Sequence, residues 1–335
     1  MLLDLQDERW VALLTRAPQA NIFHHPAWSD LLAQSYGYRP FVVAVADAAG
    51  RITAGLPMME IRSALTGRRQ VALPFTDHCS PLYVDEVALQ QLTAELVGLS
   101  ETAGAPPMTV RAALPGLPSY AHYVLHTLRL SADPEEVAGR LHSTCRRNIQ
   151  VAKKRGVRIE RSDSLQGLAQ FYRLHQRTRR RQGVPVQPWG FFARLGRDLL
   201  QRGLGFILLA YAGETCIAGA VFLHWGRTLT YKYGASAEEY LSLRPNNLLF
   251  WSAIQWACEH GFAVLDFGRT DLEQAGLRTF KASWGAEEQR LYYTNLSGAP
   301  PARAPALSKA LRVLIRNSPL WLGKIVGQGL YRHFG

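Results

Sequence analysis

Apolar residues along this chain recur at two spacings, every second position and every third or fourth, and the changes between them mark out secondary structure. The second half reads most clearly. Asp133, Pro134 and Glu136 open a helix predicted to run to about Lys154 and to stop at Gly156. VRIER (157–161) reads as a strand, and Asp163 or Ser164 caps a helix through about Gln182. Residues 188–203 form another helix, ended by Gly203. GFILLAYA and CIAGAVFLH flank the turn GET and predict a hairpin over 205–224. A strand over 228–235 follows, then a helix from Pro245 to His260 closed by Gly261. A short buried strand (263–268), a helix carrying Lys281 and a strand over 289–295 complete the series.

The first half repeats part of this pattern. Pro26 opens a helix to about Tyr36, and the segments 41–47 and 51–61 flank an AAG turn as a hairpin. A strand (69–75), a helix (86–104) and a strand (108–112) match in kind the strand, helix and strand at 228–235, 245–260 and 263–268. The same block thus appears twice, about 155 residues apart, with little identity of residues. The predicted architecture is α/β (α+β), with mixed sheets flanked by helices in two like-folded domains, 1–132 and 133–297.

Residues 298–335 form a third region. GAPPARAPA is a linker, and six Lys/Arg with no acid follow from Arg303 onward. Leu307, Leu311 and Leu314 share one helical face, and Lys309, Arg312 and Arg316 another. After Asn317–Ser318, Pro319 starts a second helix with Leu320, Trp321, Ile325 and Leu330. A basic amphipathic tail over 307–335 suits an anionic membrane surface, or else docks on the protein itself.

Composition narrows the classes. With 47% hydrophobic and 19% charged residues in 335, the chain reads as globular and large enough for two domains. The start, MLLDLQDERW, carries acids and lacks the apolar run of a secretory signal. No apolar run is long enough for a membrane span. Cys79, Cys145, Cys216 and Cys258 are widely spaced, so a reducing cytoplasm is expected, with no disulfide framework or metal site. The net charge of +12 points to an anionic partner. Between Arg140 and Gln182 there are 13 basic residues against Glu160 and Asp163, about +11 in that segment alone.

Several residues could carry chemistry. Lys281 lies between Phe280 and Trp284 in LRTFKASWGAEE. It is either a surface ammonium with its stem on apolar neighbours or a cation held where negative charge develops. Asp266 ends a strand in LDFGRTD, where ligands of open α/β sheets gather; it would orient or deprotonate an amine, or cap the turn beside Arg269. Tyr231 and Tyr233 alternate on one strand and are expected to face one cleft, with Lys232 pointing away; packing is the plainer role. In RTRRR (177–181), Arg181 suits phosphate, although a basic helix end also complements the macrodipole. Arg146, Lys153 and Lys154 have the same two readings, phosphate contact or solvation. No H-E-x-x-H, P-loop, G-x-S-x-G or G-x-G-x-x-G occurs, and His24–His25 fit a turn.

Over residues 140–295 the pieces STCRRNIQVAKKRGV, LHQRTRRRQGVP, YKYGAS, LRPNNLLFW, LDFGRTD and FKASWGAEE resemble, in that order, the FemABX family and its Fem-like and BioF2-like relatives. The β-α-α-β-β-β-α-β-α-β order is likewise similar to the GNAT acyltransferase fold. The resemblance implies two fused GNAT domains and transfer of an aminoacyl group from aminoacyl-tRNA to an amine of a lipid-linked peptidoglycan precursor; other relatives belong to exopolysaccharide assembly. It further implies that Phe280–Lys281 is the family's F-K pair, the lysine assisting a negatively charged donor or intermediate. Thr178, Arg181 and Gly183 match a Fem-like T-x-x-R-x-G pattern.

Acetyl-CoA-dependent GNATs resemble one another in a glycine-rich phosphate loop, which here reads SLRPNNLL without glycine. Arg244 and Asn246 could still bind an anion there, but a larger donor than CoA is favoured. The expectation is therefore a cytoplasmic N-acyltransferase, peripheral at the inner membrane face, with no bound cofactor and aminoacyl-tRNA as co-substrate. Lys281, Asp266 and Tyr233 would be catalytic; Phe280, Tyr231, Arg181, Arg244, Asn246, Arg269 and Trp284 would bind substrate. An acyl-CoA-dependent GNAT and a non-catalytic scaffold for membrane or nucleic acid are the alternatives.

Overall fold

Asp7, Asp85, Asp133 and Ser164 each accept a backbone N–H at the start of a helix, satisfying donors the first turn leaves open. The computed structural model describes residues 1–297, 309–319, 323, 327 and 329–333. In chain order the elements of the first part are β1 (Leu2–Leu3), α1 (Glu8–Arg16), α2 (Pro26–Tyr36), β2 (Arg39–Ala46), β3 (Ile52–Ser63), β4 (Gly67–Val71), β5 (Leu82–Tyr83), α3 (Glu86–Glu101), β6 (Met108–Val110) and β7 (Ser119–Arg129). Next come α4 (Pro134–Arg140), α5 (Ser143–Lys154), β8 (Arg158–Ser162), α6 (Leu165–Gln182), α7 (Trp189–Asp198), β9 (Gly205–Ala212), β10 (Thr215–Trp225) and β11 (Thr228–Ser236). The series closes with α8 (Pro245–Glu259), β12 (Val264–Asp271), α9 (Ala275–Ala282), β13 (Glu287–Asn295) and α10 (Lys309–Asn317).

The chain divides into two units, Met1–Val124 with Arg290–Pro305 and Leu330–Gly335, and Leu125–Gln289 with Ala306–Gly329. These differ from the ranges 1–132, 133–297 and 298–335 because late residues are recruited to the first unit. Thr294 and Asn295 pair antiparallel with Val110 and Thr109, and His333 bonds to the β3–β4 hairpin.

In the first unit, β1, β2, β3 and β4 follow one another antiparallel, and β4 pairs parallel with β6. Leu92 and Leu96 of α3 and Trp10, Leu13 and Leu14 of α1 are buried. In the second unit, β8, β9, β10 and β11 are antiparallel neighbours, and β11 pairs parallel with β12. Both strand–helix–strand blocks therefore close as parallel pairs, and both units are mixed α/β. Phe171 of α6, with Phe192 of α7 5.9 Å away, covers one face of the second sheet. α8 is apolar nearly all round, and Leu248, Phe250, Ala253, Ile254 and Ala257 sink into the main core.

Several elements depart from the sequence reading. The helix expected over 133–154 breaks at Leu141–His142. His142 Nδ1 accepts the Thr144 N–H at 3.2 Å, and Arg146 Nη1 donates to the carbonyls of Ala138, Gly139 and Leu141. The break thus satisfies both helix ends at once. The strand expected over 69–75 stops at Val71, since Leu73 and Phe75 on either side of Pro74 take φ of 59° and 55°. The strand β7 and the helix α1 were not anticipated. The linker from Gly298 and the tail residues Leu307, Leu320, Trp321 and Ile325 lie outside the described residues.

Candidate functional site

A cavity of about 290 Å³ opens in the second unit where α6, β10, β11, α8, β12 and α9 meet. Tyr231, Phe250, Phe267 and Phe280 form apolar wall, and Lys281, Arg181 and Asn246 are polar members. Five residues singled out from the sequence are thus brought together: Tyr231, Phe280, Lys281, Arg181 and Asn246.

Lys281 is 3% exposed and lines the cavity. A buried ammonium without partners is costly, so its hydrogen-bonding is decisive. Nζ donates to the carbonyl oxygens of Gly268 at 2.7 Å and Arg269 at 3.2 Å. Those carbonyls belong to β12, which is bent by Gly268 at φ 72°. Asp266, itself 2% exposed, accepts the Gly268 N–H at 2.7 Å. One carboxylate thus holds the backbone N–H of the residue whose carbonyl holds the lysine. Asp266 does not line the cavity.

Burial pushes the Tyr231 phenol up to about 12, so it is a neutral hydrogen-bond donor at neutral pH. Its ring lies 4.8 Å from Phe250. Gly234 gives it room: a Cβ there would stand 1.9 Å from the Tyr231 hydroxyl. Tyr233 does not share this cleft. The register of β10 with β11 shifts between Val221 and Phe222, which face Tyr233 and Tyr231, so Lys232 is an extra, bulged residue. Tyr233 instead packs on Phe192 and His175, and Gln187 donates to its hydroxyl at 3.2 Å.

The remaining expectations separate. Trp284 is fully buried and lies 5.6 Å from Phe250 as packing, away from the cavity lining. Arg269 presents its carbonyl, not its guanidinium, to Lys281. Arg244 is exposed with φ 58° and leads into α8, which has no side-chain cap; Asn246 in its first turn faces the cavity. Arg181 stands 3.6 Å from Glu238. Thr178 exchanges hydrogen bonds with the Ser236 backbone, at 3.2 and 3.3 Å, tying α6 to β11. Arg146 is engaged with three backbone carbonyls, a structural task. Lys153 and Lys154 are exposed in the last turn of α5.

One group was missed. His126 is fully buried on β7, and its Nε2 lies 3.1 Å from Glu288 Oε2. Arg278 of α9 binds the same carboxylate through two bonds of 2.8 and 2.7 Å, which lowers the pKa of the acid. Burial, then the nearby Lys281 charge, lower the imidazole pKa. The signal was available, since Val124, His126 and Leu128 alternate as the buried side of a strand. No group of three or more His, Cys, Asp or Glu able to hold a metal occurs among the described residues.

Residues 139–282 match the family described as Acetyltransferase (GNAT) domain. Over 75 residues the chain is 39% identical to a Lipid II:glycine glycyltransferase of Staphylococcus saprophyticus, which covers 21% of this chain and 18% of that protein. The match thus spans about a fifth of the length of that relative. Among solved structures, FemX aligns with a TM-score of 0.69 at 16% identity, covering 88% of this chain and 97% of FemX. A tandem GNAT protein from the clavulanic acid biosynthesis pathway aligns with a TM-score of 0.51 at 11% identity, covering 90% of this chain and 99% of that one. The fold is that of two tandem GNAT-like domains.

Proposed function

We propose that this chain, a Fem-like member of the GNAT superfamily, is an N-acyltransferase that moves an acyl or aminoacyl group from an activated carrier to an amine of a cell-surface precursor. The observation that carries this is Lys281, a buried ammonium aimed by two carbonyls and set in the wall of an apolar-sided cavity.

In such a reaction the acceptor amine nitrogen forms a bond to the acyl carbon, and the carbonyl oxygen becomes an oxyanion. The bond from carbon to the carrier's oxygen or sulfur then breaks, and the amine proton leaves to the departing group or solvent. A fixed cation beside the oxyanion lowers that barrier by about 3–4 kcal/mol. Lys281 takes this role, and Asp266 positions it by holding the backbone of Gly268, whose carbonyl accepts from Nζ. The neutral Tyr231 phenol donates to a substrate oxygen, while Phe280, Phe250 and Phe267 keep water from the site.

The donor we favour is aminoacyl-tRNA, and the acceptor is a lipid-linked wall or polysaccharide precursor at the cytoplasmic face of the membrane. The relative acting on lipid II supports the acceptor. Basic Arg181 and the first turn of α8, which lacks a side-chain cap, suit the carrier's phosphates. The same helix end favours acyl-CoA as the second reading of the donor. Arg312 and Arg316 of α10, exposed beside Val313 and Leu314, suit an anionic lipid surface.

The test is transfer of label from aminoacyl-tRNA, or separately from acetyl-CoA, to a lipid-linked precursor extract. Lys281→Ala is expected to lower turnover by about 100- to 1000-fold with an unchanged circular dichroism spectrum. Undiminished turnover removes Lys281 from the mechanism. Label moving only from acetyl-CoA overturns the tRNA donor, and transfer from neither donor overturns the acyltransferase reading.

A further inference from the structure

The β3–β4 hairpin of the first unit carries features that acyl transfer does not use. Leu65 at its tip is 66% exposed. Arg62 and Arg68 flank the tip, with side chains 70% and 49% exposed. The acid between them, Glu60, is buried and already paired with both. Arg68 also lines a groove of about 590 Å³ whose other members include Leu2, Phe41, Leu99 and Arg39. Asp4 is the other acid on that groove. The tip is held rigid from outside the hairpin: Ser63 Oγ lies 2.9 Å from His333 Nδ1, and Thr66 Oγ1 and Arg69 Nη2 donate to the His333 carbonyl at 2.9 Å.

We propose that this hairpin docks the first unit on an anionic phospholipid surface, with Leu65 entering the headgroup region and Arg62, Arg68 and Arg39 meeting lipid phosphates. An apolar tip ringed by arginines matches the layering of such a surface, where apolar side chains go below the phosphates and cations stay among them. Arginine takes phosphate oxygens in pairs through its planar fork. A tip already fixed by His333 loses little freedom on binding. Nucleic acid fits less well, because a single strand calls for aromatic platforms beside the cations and this tip presents leucine. The inference concerns vesicle binding alone, so it stands or falls separately from the acyltransferase reading.

The experiment is sedimentation of the full chain with phosphatidylcholine vesicles, with and without phosphatidylglycerol. Binding is expected only when phosphatidylglycerol is present and is expected to weaken as salt rises. Arg39→Gln should weaken it about fivefold, and Leu65→Asp more than about tenfold, both with unchanged melting temperatures. The paired variant Arg312→Gln/Arg316→Gln, on the α10 face read above as suited to lipid, should weaken binding less than Leu65→Asp does. Binding unaffected by Leu65→Asp, binding equal on both vesicles, or loss confined to the α10 variant overturns the proposal. So does loss of tRNA binding by Leu65→Asp with vesicle binding intact.

Discussion

Residue-scale chemistry in the second unit turns on what each side chain is allowed to be. Lys281 Nζ is held by backbone carbonyls, and burial carries the Tyr231 phenol further above its ordinary value. Gly234 sets the place of that phenol. Gly234→Ala puts a methyl 1.9 Å from the hydroxyl, so the ring must move. A cost of about 1–3 kcal/mol is expected in urea unfolding, and Tyr231→Leu in the same chain should recover most of it. His175 is a second case. It is buried against Phe171, Phe192 and Tyr233, and burial lowers its pKa to about 3. Unfolding returns the imidazole to its usual value near 6.5. The unfolded state therefore binds the extra proton, and stability falls as pH drops below about 6.5, by up to roughly 1.4 kcal/mol per unit. His175→Phe should flatten this dependence between pH 6 and about 4, which urea midpoints across that range will show.

Whole elements set which residues can meet, and here sequence and structure part in instructive ways. The second-half order of strands and helices was legible because each has one dominant period and a clear stop, as at Gly203 and Gly261. The bulge at Lys232 was not, since one inserted residue leaves no mark on the alternation yet sends Tyr233 to the opposite face from Tyr231. The F-K pair was found through its neighbours in sequence, whereas His126 stands on a strand far from it along the chain, although its partner Glu288 ends the same FKASWGAEE stretch. The break at Leu141–His142 was hidden because capping there comes from Arg146, a residue of the next helix. Gly183 shows a residue serving two elements. It ends α6 at φ 68°, and a Cβ on it would lie 2.7 Å from the Arg312 carbonyl of α10. Gly183→Ala should cost about 1 kcal/mol or more through the left-handed backbone alone. It should also loosen α10, raising amide exchange over 309–319 while leaving β9 and β10 protected.

At the scale of the molecule, the twice-used strand–helix–strand block gives each unit a parallel pair, β4 with β6 and β11 with β12, and this much of the fold could be read from pattern alone. The return of late residues to the first unit could not, because pairing between Thr294 and Val110 leaves no local trace. That return has a consequence for how the protein comes to exist. A ribosome delivers β6 long before β13. The second unit's segment 125–289 is unbroken and has its core residues in hand while β6, paired with β4, still lacks its second partner. At about 5–20 residues per second the wait from Val110 to Thr294 is on the order of 10–40 s, and the His333 clamp comes later still. The half that is synthesised first is the half that finishes last, and for that interval its open strand edge is the part of the nascent chain most in need of a chaperone.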